Sequence, residues 1–131
     1  QGIAGMKTLL EDILAEARAG EEILILGTPK RINVSIGGYL KDWQKRRIAK
    51  GAKCRLISDL DSPHWDEGWW EDSKRKRLTL TKRSAAAGPA YFIITRRSVT
   101  TIYFAEQILS FAIHHEEIAR RYIDFFEALW K

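Results

Sequence analysis

The sequence predicts an α/β fold, a mixed β-sheet with flanking helices, and three observations carry the prediction. The apolar run Ile23-Leu24-Ile25-Leu26 ends at Gly27, a helix-spaced segment joins it to a second apolar run at 54–57, and beyond Leu78 the pattern shortens into closely spaced strands before a last helical stretch. At 131 residues the chain has the material for a single domain and no room for a second core.

From Ile3, the apolar residues Met6, Leu10, Ile13, Leu14 and Ala17 recur at steps of three and four, one stripe of an amphipathic helix that Gly20 closes. The run Ile23-Leu24-Ile25-Leu26 has no polar alternation, so it suits a strand buried on both faces, a central parallel strand. A turn-rich stretch follows over 29–38. Tyr39, Leu40, Trp43 and Ile48 then keep helical spacing among lysines, and Gly51 supplies a left-handed stop. A strand resumes over 54–57. Strand, helix and strand within about 35 residues form a βαβ unit. Ser62-Pro63 has the layout of an N-cap with proline at the first helical position, so 64–73 is expected as a short helix or an ordered loop. Leu78 and Leu80 alternate with polar neighbours, 90–95 and 99–104 flank a tight Arg96-Arg97-Ser98 connection, and 108–113 follows; these are expected as antiparallel strands. Glu116 and Glu117 open a final helix with Ile118, Tyr122, Phe125, Phe126 and Leu129 on its apolar side.

Composition narrows the class. Apolar residues at 45% and charged residues at 30% are globular proportions, sufficient to offset the entropy of ordering the chain. No apolar run reaches the roughly 18 to 20 residues of a membrane span, and no signal-peptide layout opens the chain, so a soluble cytoplasmic protein is expected. Cys54 is the only cysteine, which excludes an internal disulfide and a multi-thiolate zinc site. Because the chain opens on Gln1 rather than methionine, it is expected to be a fragment cut from something longer or a processed product.

The candidate chemistry is sparse. His114 and His115 point about a hundred degrees apart on a helix, so they do not chelate one metal as an i, i+4 pair does, and a helix-start cap is the better reading. His64 stands near Asp61 and Asp66 with no nucleophile beside it. Gly37-Gly38 lacks the spacing and the Lys-Ser/Thr of a phosphate loop. No catalytic residue, metal or cofactor is therefore expected. The net charge of +5, with basic runs at 45–47, 74–77, 82–83 and 96–97 interleaved with Trp43, Trp65, Trp69 and Trp70, permits a nucleic-acid surface; the competing reading makes the runs solvated faces and buries the tryptophans in the core or an interface.

Whole segments of the chain carry a resemblance. Gly2-Ile3-Ala4-Gly5-Met6-Lys7 leads into Leu10-Glu11-Asp12-Ile13-Leu14; Glu22-Ile23-Leu24-Ile25-Leu26-Gly27 follows; then come Trp43 with Arg46-Arg47 and Lys50-Gly51. Toward the C-terminus stand Glu117-Ile118-Ala119, Tyr122, Phe125-Phe126-Glu127 and Leu129-Trp130. In order and spacing this resembles the effector domain that follows the winged-helix DNA-binding domain in TrmB-type transcription regulators. The resemblance implies a phospholipase-D-like fold over 1–131, a DNA-binding domain upstream, and a role in sensing or dimerisation rather than hydrolysis. Phospholipase-D-type enzymes need His-x-Lys-(x)4-Asp, with histidine as nucleophile and lysine for the phosphate charge. Laid on the strand pair, that motif falls on Pro89, Tyr91 and Arg96, and no His-x-Lys occurs anywhere in the chain.

The leading expectation is thus a non-catalytic regulatory domain that binds a small effector, a sugar or another metabolite, or pairs as a homodimer, with DNA held by the upstream part and no membrane partner. An effector pocket is expected at the carboxyl ends of the parallel strands, with Gly27, Thr28, Ser58 and Asp59 at its floor and Trp43, Arg47 and Trp65 as walls. Direct nucleic-acid binding through the basic, Trp-rich surface is the alternative. A hydrolase site around His64 and Asp59 is a third.

Overall fold

A computed structural model describes residues 2–27, 34–58, 67–84 and 90–131. Four helices and six strands run in the order α1 (Gly2–Glu16), β1 (Glu22–Leu26), α2 (Val34–Lys50), β2 (Lys53–Ser58), α3 (Gly68–Arg75), β3 (Thr79–Arg83), β4 (Tyr91–Ile94), β5 (Ser98–Phe104), β6 (Ile108–His114) and α4 (Glu116–Trp130). The strands form one mixed sheet in the order β3-β2-β1-β4-β5-β6. Three are parallel, β1 with β2 and β2 with β3; the other half is antiparallel, β1 with β4, β4 with β5 and β5 with β6.

The βαβ unit stands as expected, as β1-α2-β2. One strand direction does not. The unalternated β1 run is buried on both faces, central and parallel to β2 as expected, and on its other side it meets β4, one of the strands expected as antiparallel. The alternation at Leu78 and Leu80 marks a half-exposed strand, which an edge strand of a parallel set also is. α3 supplies the crossover that makes β3 parallel to β2. The helix expected to begin near Tyr39 starts at Val34, with Gly37 and Gly38 inside it, because Ile36 and Leu40 are buried one turn apart and anchor that turn to the core.

Successive side chains alternate across the sheet, and each face has its own core. On one, Ile23, Ile25, Cys54, Tyr91, Ile93, Ile102 and Ile108 meet Met6, Leu10, Ile13 and Leu14 of α1 and Ile36, Leu40 and Trp43 of α2. On the other, Leu24, Leu26, Ile57, Ile94 and Val99 meet Ala119 and Phe126 of α4, flanked by Phe92, Tyr122, Ile123, Leu129 and Trp130. α1 approaches β6 closely, where the side chains on its side of the strand include the small Ser110 and Ala112. Arg55 of β2 fastens α4 to the sheet. Its guanidinium donates to Glu127 (2.6 and 2.8 Å) and to Glu22 (2.7 and 2.9 Å) and lies over the Phe126 and Trp130 rings, 5.4 and 5.3 Å from their centroids.

The two edges of the sheet differ. β3 ends in Lys82 and Arg83, a charged edge that discourages pairing with another strand. β6 has no lysine, arginine or carboxylate, and on the α4 side Leu109, Phe111 and the neighbouring Tyr103 of β5 are exposed by 46, 49 and 39%. Phe125 of α4, 51% exposed, stands three residues beyond Tyr122, whose ring lies 5.8 Å from that of Phe92 in the same sheet face. No helix among the described residues is long and apolar enough to cross a membrane.

Candidate functional site

Of the seven residues expected around a pocket, Thr28, Asp59 and Trp65 lie outside the described residues, as do His64 and Pro89. Gly27 and Ser58 stand at the carboxyl ends of β1 and β2. Gly27 has a φ of +92°, and a Cβ there would come within 2.8 Å of the Ala90 carbonyl oxygen, so the glycine lets β1 pass close to the chain entering β4. The Ser58 carbonyl accepts from the Ser84 amide at 2.9 Å.

Trp43 and Arg47, expected as pocket walls, are placed inside the core, 1% and 0% exposed. The Trp43 indole donates to the Leu10 carbonyl at 2.8 Å and ties α2 to α1. Arg47 Nε donates to Gln44 Oε1 (2.8 Å), Nη1 to the carbonyls of Ala52 (3.0 Å) and Leu78 (2.8 Å), and Nη2 to Thr79 Oγ1 (2.7 Å). Burial pulls this guanidinium below its ordinary pKa. Its partners are uncharged groups of α2, the α2–β2 turn and the entry to β3, and its geometry binds those elements to one another. Helical spacing could assign Trp43 to the core, but nothing in the sequence separates buried Arg47 from Arg46 beside it, which reaches Glu11 and Asp42 on the surface.

The basic, Trp-rich surface is similarly reapportioned. Trp70 is buried, and Trp69 meets it edge-on at 5.7 Å with Lys45 over its face. Lys74, Arg75 and Lys76 stand within 3.0 to 3.5 Å of Glu71 or Asp72, and Lys41 pairs with Glu67 at 3.1 Å. Much of the basic run is thus balanced locally. His115 caps α4 as expected, its Nδ1 accepting from the Ile118 amide at 3.3 Å. Tyr91, which the phospholipase-D motif would need as lysine, is buried in the core between the sheet and α1 and α2, with its hydroxyl pKa raised by burial. No cluster of three or more metal-ligating side chains occurs among the described residues.

A cavity of about 280 Å³ opens at the other end of β1, its amino end, between the close of α1, the β4–β5 turn and α4. Its apolar wall is Ile13, Ala17, Ile23, Leu24, Ile94 and Ile123; Glu16, Glu21, Glu22, Arg96 and Arg97 stand around it. The β4–β5 turn positions the arginines: Thr95 Oγ1 accepts from the amides of Arg97 and Ser98, both at 3.1 Å, and the Thr95 amide donates to the Ser98 carbonyl at 2.9 Å. Arg97 then donates to both Glu21 oxygens (2.9 and 3.3 Å), and Arg96 Nε lies 3.7 Å from Oε2. The Arg97 bond and the Arg18 amide hold the Glu21 carboxyl below the usual carboxylate range. A broader, shallower depression adjoins, sharing Glu16, Ala17 and Arg97 and bringing in Lys50, His114 and His115. Sequence reasoning passed over this end of the sheet. Arg96-Arg97 counted only as a charge run, and Glu16 and Glu21 join it through tertiary packing, leaving no local signature.

No protein-family model and no curated protein matches the sequence. Among solved structures, TrmBL2, an archaeal chromatin protein whose structure shows a novel mode of DNA binding, is similar over 99% of this chain with a TM-score of 0.72 and 16% identity. The chain spans 50% of that protein's length. At that identity the likeness is one of fold: this chain folds as half of TrmBL2 does.

Proposed function

We propose that this chain is a non-catalytic regulatory domain of a TrmB-like transcription regulator, which pairs with a second copy of itself and carries an effector site, while DNA is held by a part of the protein upstream. The likeness to half of an archaeal chromatin protein supports the class of protein. The observation that carries the pairing role is the uncovered apolar face of β5, β6 and α4. Tyr103, Leu109, Phe111 and Phe125 are exposed there together, beside a sheet edge with no lysine, arginine or carboxylate on its strand. Exposed apolar patches of this kind mark contact surfaces. Two copies related by a two-fold axis near Phe111 meet like with like and bury no repelling charges, as an isologous interface requires. DNA-binding regulators commonly use such pairs to reach two half-sites.

Sedimentation velocity over a concentration series tests this. The expected result is a dimer with a dissociation constant on the order of micromolar or tighter, shifted to monomer by Phe111→Lys, with a melting temperature equal to that of the native chain diluted below its dissociation constant. A chain that stays monomeric at every concentration, or a dimer indifferent to Phe111→Lys and Leu109→Lys, overturns the pairing role.

A further inference from the structure

We infer that the cavity at the amino end of β1 is the effector site and that it takes a free α-amino acid with an apolar side chain. The inference rests on the regulatory reading above and gives it a ligand class. Size comes first. Clefts for drug-sized molecules run from about 300 to 1,000 Å³, so 280 Å³ suits a single small metabolite. The chemistry of the walls comes second. The cavity's apolar part is branched aliphatic and wraps the end of the sheet, with Ile13 of α1 and Ile23 of β1 on one face and Leu24 of β1, Ile94 of β4 and Ile123 of α4 on the other. The one neutral hydrogen-bonding side chain that lines it, Thr95, has its Oγ1 taken by the Arg97 and Ser98 amides.

The charges at the mouth make the third and most restrictive argument. They have both signs, and each stands on a different element. Arg96, whose side chain is 69% exposed, projects from the β4–β5 turn and is held only loosely by Glu21, at 3.7 Å. Its guanidinium is placed to receive a carboxylate. Glu16 ends α1, exposed, with no hydrogen bond or ion pair to another described residue. The negative end of the α1 dipole adds to its pull on a cation. Arg97 is committed to Glu21 and serves as a positioning residue, keeping that carboxylate from competing for an incoming ammonium. A carboxylate and an ammonium carried on one carbon, with an aliphatic or aromatic group to place in the cavity, satisfy all three walls together. A simple anion leaves Glu16 facing it; a simple cation leaves Arg96.

Isothermal titration of the chain with L-leucine, L-isoleucine and L-phenylalanine, with melting temperature followed in parallel, reads the site directly. Saturable binding of at least one is expected. 4-Methylpentanoate, which lacks the ammonium, isoamylamine, which lacks the carboxylate, and glycine, which lacks the apolar group, are each expected to bind about tenfold or more weakly. Arg96→Ala and Glu16→Gln change exposed side chains, so both variants fold, and each is expected to weaken leucine by a similar factor. No binding by any of the three amino acids, equal binding of 4-methylpentanoate, or full affinity in both variants overturns the assignment. Sedimentation without ligand reports pairing separately, so failure of the site and failure of the dimer are distinguishable.

Discussion

Two buried serines separate the halves of the sheet. In the parallel half, Ser73 lies beneath β3 with its hydroxyl 2.7 Å from the Trp70 carbonyl and 2.9 Å from Thr79 Oγ1, in a network that continues to Arg47 and the carbonyls of Ala52 and Leu78. In the antiparallel half, the buried Oγ of Ser110 on β6 has no hydrogen-bond partner among the described residues. The parallel half ties a helix, a turn and a strand together through one buried guanidinium and ends in a basic edge; the antiparallel half keeps its buried Ser98, Thr100 and Thr101 within the single strand β5 and ends in an apolar face. A charged edge discourages further pairing, whereas an apolar face suits the proposed contact with a second copy.

The largest expected effect falls on the parallel half. Arg47→Ala leaves a cavity and removes the guanidinium from Gln44 Oε1 and the Ala52 carbonyl, while the Leu78 carbonyl keeps the Cys54 amide and Thr79 Oγ1 keeps the Ser73 hydroxyl, and it is expected to cost about 3–5 kcal/mol. Arg47→Met refills most of the volume and removes a desolvated charge, so it is expected to cost about 1–3 kcal/mol, the share due to the orphaned acceptors. Urea unfolding of the two variants separates these contributions. A loss below about 1 kcal/mol in Arg47→Ala would mean that apolar packing holds this half as it holds the other.

Next comes the seam, where β1 passes from a parallel to an antiparallel neighbour. Gly27→Ala must seat a Cβ within 2.8 Å of the Ala90 oxygen on a backbone at φ +92°. The expected cost is about 2–3 kcal/mol by thermal unfolding. A neutral result would show that the chain entering β4 yields freely and that the halves are not rigidly joined.

Within β6 the contrast is between adjacent residues on opposite faces. Ser110→Ala is expected to stabilise the chain by about 1 kcal/mol, because it removes a buried hydroxyl that lacks a partner. It leaves association unchanged, since it points toward α1. A fall in melting temperature would reveal a partner for Oγ and erase the contrast with Ser73.

How much of this was legible follows the same division. Among the described residues, α1, α2, α4 and the six strands answer to segments read from periodicity, since apolar spacing reports burial, and burial is what the elements achieve. The helix α3, expected over 64–73 as a short helix or a loop from Ser62-Pro63, which lies outside the described residues, runs from Gly68 to Arg75. Strand direction was not legible for β3, because alternation encodes which face is covered and not which way the neighbour runs. The end of α3 gave no stop signal, since Arg77, at φ +60°, occupies the left-handed position where a glycine would have announced it. Among the pocket residues, Arg47 was misplaced because an arginine in a charged run looks solvated unless its acceptors are known, and three of its four come from main chain or side chains at 52, 78 and 79. The amino-end cavity was invisible for a related reason: its charged groups stand on α1, on the approach to β1 and on the β4–β5 turn, up to 81 positions apart from Glu16 to Arg97.

The smallest effect tests what joins α1, which covers the antiparallel half, to α2, which the Arg47 network binds to the parallel one. Arg46 donates to both oxygens of Glu11 at 2.6 and 2.7 Å, and the Tyr39 hydroxyl also donates to that carboxylate. The Arg46 bonds first, and then Tyr39, hold the Glu11 carboxyl at about 2 against an ordinary 4.5. A carboxyl whose pKa is depressed on folding contributes stability that is complete above the unfolded value, near 4.5, and that disappears as pH falls toward 2. Its side chain is 44% exposed, so solvent screens the pair and the contribution is expected to be under about 1 kcal/mol. The measurement is the stability difference between the native chain and Glu11→Gln at pH 6 and at pH 2.5. The difference is expected to shrink on acidification while Gln44, Arg47 and Thr79, which offer no group titrating in that window, keep the parallel half intact. A difference that is the same at both pH values would mean that Glu11 acts by packing rather than by charge, and that α1 and α2 are joined chiefly by Trp43 and its bond to Leu10.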